Sequence, residues 1–142
     1  MQKLLVTGAV AALLATAIGA QTAQGAVRLI KLPNGDYTVP MSELEGSGTN
    51  GTVTMHPQGP KTIVTVTVNG TSKHMHSFKL HPGSDCSSFG AANSITLAPA
   101  LTGQPSRTIV SLPITNLTSS DYVVAARDAT THAQFQESCA HI

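Results

Sequence analysis

Thr52-Val53-Thr54-Met55 and Thr62-Ile63-Val64-Thr65-Val66-Thr67-Val68 decide the fold. In both stretches apolar and hydroxyl side chains alternate with a period of two, the spacing at which successive side chains point to opposite faces of a strand. Val53, Met55, Val64, Val66 and Val68 are therefore expected inward and the threonines outward. The β-branched residues suit an extended backbone better than a helix. His56-Pro57-Gln58-Gly59-Pro60 between the two is expected as a proline-bounded turn.

The same pattern recurs on either side. Val27 to Leu32 and Asp36 to Val39 flank Asn34-Gly35, a two-residue hairpin signal because both central residues must tolerate positive φ. Gly46 to Gly51 reads as a flexible loop. In His76-Ser77-Phe78-Lys79-Leu80-His81, Phe78 and Leu80 share one face while Lys79 and His81 share the other, a half-buried strand with its polar heads outward. Ile95 to Ala98, Arg107 to Ile114 and Tyr122 to Ala126 complete the set. Outside the N-terminal segment no helical period is sustained. The pattern predicts an all-β fold, an antiparallel Greek-key β-sandwich or barrel of about eight strands. Tryptophan is absent and aromatics are scarce, so the core falls to Val, Ile, Leu and Ala.

Residues 1 to 25 read as a secretory signal: a basic start at Lys3, an apolar run from Leu4 to Ile18, then small residues. Cleavage after Ala20 or before Ala26 fits, the second being preferred. The remaining 26 to 142 is one domain, expected to be secreted or periplasmic and to have no membrane contact after cleavage. Lys3 leaves with the signal, so eight basic side chains become seven, matching the seven acidic ones. A balanced surface argues against nucleic acid as a partner. The partner is instead expected to be a protein or small molecule, presented with the loops 82 to 94 and 99 to 106. In an exported chain the two cysteines, Cys86 and Cys139, are expected to form one disulfide.

The histidines carry the chemistry. His74 and His76 stand two apart on one strand face, a spacing at which imidazoles chelate copper or zinc. His81 falls on the opposite face. His141, two residues past Cys139, is drawn toward Cys86 and hence toward His81 if the cysteines are bridged, and that pair is the leading alternative metal site. His56 and His132 read as surface residues. No serine nucleophile, phosphate loop or paired catalytic carboxylates are present, and Glu43-Leu44-Glu45 reads as solvated charge.

Taken in order, these features resemble the copper-zinc superoxide dismutase superfamily over most of residues 46 to 142. Gly51 to Thr54, the valine strand and Asn69-Gly70 are similar to its opening hairpin, and His76 to His81 to its His-Gly-Phe-His-Val-His strand. Tyr122 to Asp128 and Cys139-Ala140-His141-Ile142 are similar to its closing segments. The chordin-type domain is a related alternative. The resemblance implies a copper site in which His81 matches a ligand, while Lys79 and Arg127 stand where two other ligand histidines belong. It implies a structural role for His76 and a guiding arginine replaced near Gln136. From Ser87 to Thr131 there is no histidine for a zinc subsite. Lysine near neutral pH has no lone pair to offer a metal. The expectation is a non-catalytic binding or structural module with weak copper binding at most and no resident zinc. The alternative is a copper-dependent superoxide dismutase acting outside the cytoplasm.

Overall fold

The computed structural model describes residues 29–86, 92–130 and 136–142. Residues 1 to 25, read from sequence as a signal, together with His132 and part of the 82 to 94 loop, lie outside the described residues. Among the described residues nine strands form one antiparallel, nearly closed sheet. They are β1 (Ile30–Lys31), β2 (Tyr37–Glu43), β3 (Asn50–Gln58), β4 (Lys61–Asn69), β5 (Met75–Pro82), β6 (Ile95–Leu101), β7 (Pro105–Val110), β8 (Tyr122–Asp128) and β9 (Gln136–His141), with a short helix α1 (Ile114–Ser119) between β7 and β8. Around the sheet the order is β6-β5-β8-β9-β2-β3-β4-β7, and β1 pairs with β2. The crossovers among β4 to β8 give the Greek-key pattern expected from the sequence.

The two deciding stretches become β3 and β4, paired along their whole length from Asn50↔Asn69 to Gln58↔Lys61. Val53, Met55, Val64, Val66 and Val68 are fully buried, as the alternation requires. With Val39, Met41, Phe78, Leu80, Leu97, Leu117 and Val124 they make a single apolar cluster. Thr62 departs from the expectation: it shares the inward face of Val64, is buried, and satisfies its hydroxyl by donating to Leu112 O at 2.8 Å.

Other boundaries move for local reasons. The β3–β4 turn is only Gly59-Pro60, because Gly59 supplies positive φ (58°) and lets both strands run on to Gln58 and Lys61. At the first hairpin only Gly35 has positive φ (89°). Gly35 N donates to Leu32 O and Leu32 N to Asp36 O, so the loop is longer than two residues, with Pro33 setting its first corner. The expected strand Arg107 to Ile114 ends at Val110, and Pro113 starts α1 instead of continuing the ladder. Residues 99 to 106, expected as a loop, are mostly the ends of β6 and β7 around a tight turn at Thr102 to Gln104.

The sheet closes unevenly. β2 pairs with β3 through Met41 and with β9 through Ser42↔Cys139 and Glu43↔Ser138, so it belongs to both halves. At the opposite seam β6 and β7 meet through side chains: Thr108 Oγ1 accepts from Ala98 N at 2.8 Å, and Ser106 Oγ donates to Ala98 O. Pro99, with no N–H to give, lies where the β5–β6 register shifts. Cys86 and Cys139 form the expected disulfide, with Cα atoms 5.9 Å apart.

Candidate metal centre

β5 carries two histidine environments. His76, Phe78 and Leu80 face the core, while Ser77, Lys79 and His81 face the other side. His81 is nevertheless 1% exposed, which corrects the expectation that this face is open. Its neighbours across β8, Val123 and Ala125, are fully buried too, so the second face is covered as well.

At the start of β5, His74 and His76 converge on one carboxylate. Glu137 Oε1 is 2.8 Å from His74 Nε2, and Glu137 Oε2 is 2.6 Å from His76 Nδ1. The rings lie 4.2 Å apart between centroids. His76 is completely buried, and its Nε2 is 2.8 Å from Thr102 Oγ1. Thr102 is also tied to Ser72 O at 2.9 Å, so its hydroxyl links the cluster to the backbone. Asp128 Oδ2 lies 3.8 Å from His74 Nε2. The nitrogen and oxygen donors of His74, His76 and Glu137 all lie within 4.8 Å of one another.

The strands place these groups. His76 pairs with Asp128 of β8, which brings the end of β8 beside the histidines. Glu137 arrives through an irregularity. Ala126 pairs with Ser138 and Arg127 with Gln136, leaving Glu137 as the extra residue of β9. Its carbonyl is satisfied from the 44 to 47 loop by Leu44 N at 2.9 Å and by Ser47 Oγ at 2.5 Å. Glu137, Thr102 and Asp128 carry no sequence signal. Strict alternation along β9 puts Glu137 with Cys139 and His141, and only the bulge turns it toward His76.

The residues singled out by the dismutase resemblance fall elsewhere. Lys79 pairs with Ala125 and Arg127 with Ser77, so both lie on the same face as His81. His81 Nδ1 sits 3.4 Å from Pro82 O, and its buried Nε2 has no hydrogen-bond partner among the described residues. His141 occupies the same row of the sheet as His81 with Val123 between them. Rather than turning to His81, its Nε2 lies 3.2 Å from Cys86 Sγ. The two rings are thus engaged with different neighbours. His56 pairs with Asp36 at 2.6 Å on the surface. Against family models, curated proteins and solved structures alike, the chain shows no match.

Proposed function

We propose that the chain is an exported, disulfide-stapled β-sandwich of superoxide dismutase-like descent, non-catalytic, which takes up copper(II) weakly at His74, His76 and Glu137. The observation that carries the reading is the pair of imidazole nitrogens held at 2.8 and 2.6 Å from the two oxygens of one carboxylate. Two imidazoles and a carboxylate are donors that suit cupric copper, which stands highest among the divalent first-row ions for such ligands. Binding is weak because the ion must displace hydrogen bonds that both rings already make to Glu137, and because His76 is sealed from solvent.

Catalysis is disfavoured at the other face. Dismutation needs a metal that cycles between two redox states on several ligands with an open position. On the residues carried over by resemblance, His81 has Lys79 and Arg127 as companions, and two cations there repel a cupric ion. The sandwich then serves as a rigid platform for a protein or small-molecule partner.

Calorimetric copper titration tests the reading with four proteins: the parent, His74→Ala, the His74→Ala/His76→Ala double variant and His81→Ala. The parent and His81→Ala are expected to bind alike, and binding is expected to weaken in His74→Ala and vanish in the double variant. Because His74 is only partly buried, its single variant reports on the site without opening the core. Acidification is expected to release the metal as protons compete for the imidazole lone pairs. Binding that survives the double variant and is lost in His81→Ala would instead favour the dismutase alternative.

A further inference from the structure

At the other end of β9 a second donor set stands apart from the first. The sulfurs of Cys86 and Cys139 and the imidazole of His141 lie within 4.8 Å of one another, and His141 Nε2 is 3.2 Å from Cys86 Sγ. In the disulfide the two sulfurs are neutral, mutually bonded and poor ligands. Reduction changes their chemistry completely, since a thiolate is the form of cysteine that binds metal.

We propose that reduction of the Cys86–Cys139 disulfide opens a zinc site made of Cys86, Cys139 and His141, which disulfide formation closes again. The electron balance is that of thiol–disulfide exchange. Two molecules of a low-molecular-weight thiol become one disulfide, the Cys86–Cys139 bond breaks, and both cysteines leave as thiols. Zinc then binds with release of their two protons.

The backbone is suited to this exchange. Cys139 and His141 are two apart on β9, so their side chains share one face. Cys139 is held from both sides, by Ser42 of β2 and by Ala125 of β8, and His141 is held by Val123. These ladders are made by backbone groups and not by the sulfurs. Tetrahedral zinc with bonds of about 2.3 Å to sulfur wants its two sulfurs roughly 3.8 Å apart. A Cα separation of 5.9 Å accommodates that with side-chain rotation alone. His141 is exposed, which leaves the fourth position to water, and two thiolates with one imidazole are a donor set that zinc prefers.

Cobalt(II) is the probe, because cobalt bound to thiolate gives a near-ultraviolet charge-transfer band that imidazole and carboxylate ligands do not. The full chain, reduced with a phosphine that does not itself supply thiol ligands, is expected to bind one cobalt more than the oxidised chain, with this band present. Zinc should displace the cobalt, and reoxidation should expel it. His141→Ala is expected to keep the band while binding at least tenfold more weakly, and Cys86→Ser/Cys139→Ser to lose the band. The His74→Ala/His76→Ala variant should leave the band unchanged, which separates this site from the copper site. Absence of a sulfur band in the reduced chain, folded or not, overturns the proposal, as does a His141→Ala variant that binds as tightly as the parent.

Discussion

Glu137 joins β9 to two other segments, accepting from His74 and His76 at the start of β5 through its carboxylate and from the 44 to 47 loop through its carbonyl. A largely buried carboxylate serving two imidazoles is costly to alter, because replacing it takes the partner from Nδ1 of the fully buried His76. Glu137→Gln is expected to lower stability by about 1 to 3 kcal/mol in urea unfolding and to abolish copper uptake. Gly51 shows the opposite kind of constraint. A Cβ there would lie 2.3 Å from Thr67 O and 3.0 Å from Val68 Cα, both backbone atoms that cannot swing aside. Gly51→Ala is expected to cost about 1 to 3 kcal/mol, read from the urea midpoint, as overpacking does. Of these residues the sequence announced only the histidines. His74 and His76 are legible because two imidazoles at a spacing of two must share a strand face. Their carboxylate partner is not, since its position depends on one unpaired residue in β9.

At the scale of the strand, alternation is a sound guide in regular ladders and fails wherever the register slips. β3 and β4 pair without interruption and their inward residues follow directly from the pattern. β5 against β6 and β8 against β9 both shift, and around those shifts lie the groups that sequence did not join to the histidines: Thr102 just past β6, and Glu137 itself. Proline marked the end of β7 better than hydrophobicity did. Leu112 and Ile114 continue the alternating rhythm, yet Pro113 between them has no N–H for the ladder and begins α1. The disulfide ties the segment after β5 to the middle of β9, elements 53 residues apart in sequence. Cys139→Ala is expected to cost about 2 to 5 kcal/mol, measured by thermal or denaturant unfolding of the oxidised protein. A smaller loss would mean that the β2 and β8 ladders hold β9 without help.

For the whole molecule, the fold was readable because nearly every strand buries one face in a common core, and that demand writes itself into the sequence as alternation. Function is written in convergence between distant strands, which a linear pattern does not record. Supplied with copper and zinc, the purified protein is expected to show no superoxide dismutation beyond that of free copper. A metal-dependent rate that survives chelation of loose copper and disappears in His81→Ala would establish the dismutase alternative. The pairing of Ser42 with Cys139 bears on how the molecule assembles over time. This ladder joins the second strand to the last, so closing it carries the entropy cost of a long loop. With the disulfide in place, the path from Ser42 to β9 runs through Cys86 and is roughly halved, and halving a loop eases its closure by about 0.6 kcal/mol. Refolding of the oxidised chain should therefore outpace that of the reduced chain by about threefold in stopped-flow measurements. The order in which oxidation and barrel closure occur would then set how quickly newly made chains reach their native state.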